Sequence, residues 1–78
     1  MTATVTLDQA PLGVPLVLTG TGVEGPTSRH LTALGLRRGV QFSVVLRLAG
    51  GGRVVAVRGG RIAVGREVLA HLHAEAVT

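Results

Sequence analysis

The sequence contains no cysteine, lysine, tryptophan or tyrosine, and its one aromatic residue is Phe42. Without cysteine there is no disulfide framework and no thiolate metal site. Without tryptophan or tyrosine there is little to stack on, so a surface that grips single-stranded nucleic acid through aromatic platforms is poorly provided for. Only four carboxylates are present, Asp8, Glu24, Glu67 and Glu75, far apart in sequence. No Gly-x-Ser-x-Gly elbow accompanies them, so hydrolytic chemistry has no visible constellation. Charges, glycines or prolines interrupt every apolar run well short of the ~18 residues a membrane helix needs. The N-terminal stretch MTATVTLDQAPLG has neither a basic region nor an apolar run of the signal-peptide kind, and a cytoplasmic location is the default expectation.

What is present is apolar and glycine-rich. Hydrophobic residues make up 46% of 78 residues, and 12 more are glycine. Such a chain buries enough to fold, and disorder is excluded on composition. Its length fits one domain spanning residues 1–78, with a thin core and little room for an internal active-site cavity. The net charge of +4 comes from eight arginines. They spread from Arg29 to Arg66 without forming a block, which favours a solvated face over a nucleic-acid footprint.

Along the chain, the Thr6-Leu7-Asp8-Gln9 spacing is that of a capping box and predicts one helical turn. Val14 to Thr19 reads as a strand, with Pro15 tolerated near its start. Gly20 to Thr27 is loop by composition. A helix of two turns is expected near Ser28 to Leu34, capped by Thr27 or Ser28, with Leu31 and Leu34 on one face. Gly35 ends it in the left-handed conformation, and Leu36 folds back onto Leu31. From Val40 the period changes to two, and Val40, Phe42, Val44, Leu46 and Leu48 are expected inward on one long strand. Ala49 to Gly52 closes a hairpin to Arg53–Arg58. Gly59-Gly60 forms a tight turn to Arg61–Val64. Arg66 to Ala70 makes a helical turn before a last strand, His71 to Val77. The elements describe a mainly β fold: a small five-stranded SH3-like barrel, closed on itself, with one short α-helix between the first and second strands.

Two motifs carry candidate chemistry. His71, His73 and Glu75 alternate along the last strand and could present a divalent-metal face. The simpler reading is a polar outer face with Leu72, Ala74 and Ala76 inward, and no metal is assigned. The glycine-rich AGGGR stretch is not a P-loop, because no Lys-Ser/Thr follows the glycines and a strand replaces the helix.

Once the helix, the Leu-Gly-Leu turn and the glycine hairpin are placed, the chain resembles the FeoA family, accessory proteins of bacterial ferrous iron transport. The resemblance runs from Leu7 to Val77. It is carried by RHLTALGLRRGVQFSVV (Arg29 to Val45) and VRGGRIAVGREVLAHLHAE (Val57 to Glu75), where Leu31, Leu34, Gly35, Leu36, Gly39, Gly59 and Ile62 fall on the family pattern. The chain departs from that pattern at Arg38, where proline is common, and at His30, where arginine or lysine is common.

The resemblance implies a cytosolic protein that docks on the FeoB-type ferrous iron transporter or its GTPase domain and modulates uptake; it does not imply iron binding or nucleotide hydrolysis, and from the residues no cofactor and no enzymatic activity are expected. The expected contacts are Arg29, His30, Arg37 and Arg38 around the helix and turn; the competing reading makes them solvated charges beside a structural turn. The same module occurs behind a helix-turn-helix in iron-dependent repressors, and the short free-standing form is expected to favour the transport accessory. A metal-sensing regulatory module using His71, His73 and Glu75 and a small RNA-binding barrel remain as alternatives, and self-association is left open.

Overall fold

The structure, a computed structural model, describes residues 4–77. Six strands form one antiparallel sheet, three residues in the shortest and seven in the longest: β1 Thr4–Thr6, β2 Leu16–Thr21, β3 Gln41–Arg47, β4 Arg53–Val57, β5 Gly60–Val64 and β6 Leu72–Ala76. Helix α1 spans Gly25–Ala33 and the single-turn α2 spans Arg66–Leu69. The strand order is β1-β6-β2-β3-β4-β5, so β6 lies between β1 and β2 and pairs with both, while β3, β4 and β5 form a meander.

The sheet wraps one core in which Leu7, Leu16, Leu18, Leu36, Val44, Val55, Leu69 and Leu72 are fully buried. Alternation explains most of it. Leu16 and Leu18 point inward from β2, Phe42 and Val44 from β3, Val55 and Val57 from β4, and Leu72 and Ala74 from β6.

Five expectations are corrected. There are six strands, not five, because Thr4–Thr6 pairs with His73–Glu75 of β6. The helix therefore lies between the second and third strands. Thr6 to Gln9 forms a reverse turn, with the Gln9 N–H on the Thr6 carbonyl at 2.9 Å, in place of a helical turn. The Leu7 N–H is committed to the Leu72 carbonyl at 3.0 Å, which continues the sheet and leaves nothing to cap. Helix α1 starts earlier than expected, after Glu24, so Thr27 and Ser28 lie inside it and provide no side-chain cap. Leu34 is 42% exposed while Leu31 is buried; α1 ends at Ala33, and Leu34 is its C-cap residue, where the chain is about to reverse at left-handed Gly35. Finally, β1 and β5 end the ladder, and no pairing joins them among the described residues. Edges this short, one carrying Arg61, resist edge-to-edge association without closure.

Two registers also differ. The hairpin β4–β5 turns on Arg58 (φ 51°) and Gly59 (φ 81°), with Val57 opposite Gly60. A turn on Gly59-Gly60 would shift the pairing by two residues and keep the same residues inward, but it would leave Arg53 and Val54 unpaired. The full ladder offsets the left-handed backbone of Arg58. In β3, Val44 faces Val55 and Leu46 faces Val54, so Val45 is the extra residue of a bulge. Beyond it Leu46 turns outward and is 53% exposed; Leu48, also expected inward, is 37% exposed.

Candidate functional site

The C-terminus of α1 is built as the sequence requires. Leu36 N–H donates to the Leu31 carbonyl at 2.9 Å and Gly35 N–H to the Thr32 carbonyl at 3.0 Å. This is the Schellman pair of bonds, with Gly35 at φ 97° as the left-handed residue. The reversal returns Leu36 to the core beside Leu31 and sends the chain outward at Arg37.

Arg37 to Val40 is a second reverse turn, closed by the Val40 N–H on the Arg37 carbonyl at 3.1 Å, with Gly39 at φ 87°. Gly39 N–H reaches the Leu18 carbonyl at 2.7 Å, and Leu18 N–H the Val40 carbonyl at 3.0 Å. Both ends of the turn are thus clamped, one by the helix cap and one by β2. Arg37 and Arg38 are held out on a short arch between them.

Across from this arch, Gly22 N–H donates to the His71 carbonyl at 2.6 Å. A Cβ at Gly22 would sit 3.1 Å from that oxygen, so glycine permits the approach, and Val23 beside it packs against the core. An open cleft of about 280 Å³ results. Val23, Leu31 and Leu36 give it apolar surface, Thr21, Ser28 and Thr32 give hydroxyls, and Arg37 and Arg38 line its charged side. Its volume falls just below the roughly 300–1,000 Å³ of small-molecule sites.

Of the four sequence candidates, the structure brings Arg37 and Arg38 to the cleft. Arg29 and His30 are exposed on α1 but do not line it; the cleft takes Ser28, Leu31 and Thr32, and the helical turn carries residues 29 and 30 away from that face. Sequence reasoning missed Val23, for which Gly22 beside the loop was the available signal.

His73 and Glu75 share a face of β6, opposite Thr6 and Thr4 of β1, whereas His71 lies in the turn before the strand. Among the described residues no three of His, Asp and Glu gather in a way that could hold a metal ion. The carboxylates occupy separate elements: Asp8 in the first turn, Glu24 before α1, Glu67 on α2 and Glu75 on β6. Phe42 is 4% exposed and unavailable for stacking. Among the described residues no helix is long and apolar enough to cross a membrane.

The FeoA domain model matches residues 5–76. No curated protein matches the chain significantly in sequence. Among solved structures, an iron uptake regulatory protein, FeoA, from a monoclinic crystal aligns with TM-score 0.81 at 21% identity over 96% of this chain and 100% of that one. The FeoA protein from Chlorobium tepidum aligns with TM-score 0.86 at 21% identity, over 95% of this chain and 71% of that one. Iron(II) transport protein A from Clostridium thermocellum aligns with TM-score 0.85 at 20% identity, over 94% of this chain and 46% of that one. The shared architecture is the SH3-like fold, here with six strands.

Proposed function

Because this chain belongs to the FeoA family, we propose that it serves ferrous iron uptake in the cytoplasm by docking on a FeoB-type transporter, at its GTPase-containing cytosolic part. Family membership supports the accessory role in ferrous iron transport. The mode of action rests on the helix–turn cleft, and one observation carries it: a Schellman reversal and a clamped turn hold Arg37 and Arg38 beside a cleft floored by the half-buried Val23 and the buried Leu31 and Leu36. Charge at the rim governs encounter and specificity, while the apolar centre supplies contact that salt does not screen. Arg29, with His30, extends the same basic end of the molecule and contributes long-range attraction without lining the cleft.

Backbone amide spectra recorded while adding the transporter's cytosolic domain test the site. The expected result is a saturating set of shifts at Gly22, Val23, Ser28, Leu31, Thr32 and Leu36 to Arg38. A parallel titration with single-stranded RNA is expected to give only weak, salt-sensitive shifts. Tight RNA binding with no response to the transporter domain, with or without nucleotide, would assign the cleft to another class of partner.

A further inference from the structure

The bulge at Val45 has a chemical consequence at the end of β3 that lies away from the Arg37–Val40 turn. It makes Arg47 the direct cross-strand partner of Arg53, where an unbroken ladder would have placed Leu46 opposite Arg53. Like charges directly opposite on neighbouring strands destabilise a sheet, and bulges recur where a side chain is re-aimed toward a site.

Arg53 is also unusual in being 8% exposed. Its Nη1 donates to the Ala10 carbonyl at 2.6 Å. That bond fixes the guanidinium, which carries five N–H donors in all. Arg47 and Arg53 line a second cleft, of about 310 Å³, together with Arg66, Asp8 and the loop glycines Gly51 and Gly52. The stem of Arg66 lies against Gly51, where a Cβ would come within 3.2 Å of it; Gly51 itself stands at φ 94°. The cleft holds one carboxylate, Asp8, whose Oδ1 is buried without a hydrogen-bond partner. Three guanidiniums against one carboxylate leave two positive charges in excess.

We propose that this cleft binds a phosphate group of a small anion, with Arg53 as the fixed donor and Arg47 and Arg66 as mobile clamps. Phosphate supplies what the cleft lacks. It carries enough charge to offset the excess, and its oxygens match the planar fork of the guanidinium. The loop is not a P-loop: recognition rests on arginine side chains, with the glycines making room for them. The site is separate from the helix–turn cleft and does not depend on the docking proposed there.

Amide spectra at low ionic strength, titrated with inorganic phosphate, pyrophosphate and ADP, test the proposal. Saturable shifts confined to Arg47–Arg53 and Arg66 are expected, strongest with pyrophosphate. Both Arg47 and Arg66 are exposed, so Arg47→Gln and Arg66→Gln retain the fold, and each is expected to weaken binding about threefold. Arg29→Gln is expected to leave it unchanged. Pyrophosphate should raise the melting temperature where sodium chloride of equal ionic strength does not. ADP binding no tighter than pyrophosphate would identify the diphosphate alone as the ligand; tighter ADP binding would identify a nucleotide as its source. Non-saturating shifts, or shifts equal at Arg29, Arg37 and Arg38 and indifferent to Arg47→Gln and Arg66→Gln, would reduce the effect to general attraction by a basic chain and overturn the site.

Discussion

Replacing Gly35 with alanine places a Cβ on a residue whose φ is 97°. An L-residue in the left-handed region costs about 1–2 kcal/mol, and this φ lies well beyond the ~57° centre of that region. The new Cβ would also sit 3.0 Å from Cδ of Arg58. That neighbour is an exposed, flexible side chain and can move aside, so the backbone supplies most of the penalty. Were the helix to unwind instead, the Leu36 N–H to Leu31 and Gly35 N–H to Thr32 bonds would go with it. The expected loss is therefore about 1–2 kcal/mol, or roughly 4–16 °C in melting temperature for a domain of this size. Gly60→Ala is the control. Gly60 has no positive φ, and its Cβ would meet the Val57 carbonyl oxygen at an ordinary 3.7 Å. There alanine is expected to be neutral or to stabilise by up to about 1 kcal/mol, because it restricts the unfolded chain. Urea unfolding followed by circular dichroism, with unchanged m-values, measures both. Equal effects of the two substitutions would refute the left-handed cap as the source of the penalty.

Other expectations follow from the same geometry. Arg38 occupies the second position of a turn with left-handed Gly39 third, where proline suits the backbone. Arg38→Pro should raise stability by about 0.4–1 kcal/mol in urea unfolding, and a loss would show that Arg38 does not hold proline-compatible angles. Leu72→Ala, at a residue 0% exposed, should cost about 2–5 kcal/mol, much of the roughly 4–12 kcal/mol available to a domain of this length. A cost below about 1 kcal/mol would contradict its central place in the core. Excess chelator should leave the melting temperature unchanged, since a structural metal would add folding free energy outright; a large drop would restore a role for His71, His73 and Glu75.

How much could be read in advance depended on whether the determining interaction was local. The end of α1 was legible because a Schellman cap is set by Leu31, Gly35 and Leu36, all within six residues. The turn at Arg37–Gly39 and the hairpin position were legible for the same reason. Strand β1 was not, because three residues of Thr-Val-Thr become a strand only through pairing with β6, some seventy positions away. The bulge left a faint trace: Val45 is apolar where the alternation asks for a polar residue. The turn on Arg58 could not be inferred, since both registers bury the same residues and only the length of the ladder chooses between them. The cleft was half legible. Arg37 and Arg38 follow from the turn, while Val23 depends on Gly22 closing on the His71 carbonyl. Arg47, Arg53 and Arg66 look scattered in sequence, and the bulge and the glycine loop bring them together.

The association between this chain and the GTPase-containing domain of a FeoB-type transporter tests the central claim most directly. Wild-type protein should bind, with affinity that weakens but persists as salt rises, because the charged rim is screened and the apolar cleft is not. The double substitution Arg37→Glu, Arg38→Glu should slow association by about tenfold or more while leaving the circular dichroism spectrum and melting curve of the free protein unchanged. Binding that is indifferent to the charge reversal in a folded protein, or no binding by the wild type with any nucleotide, would contradict docking through the helix–turn cleft.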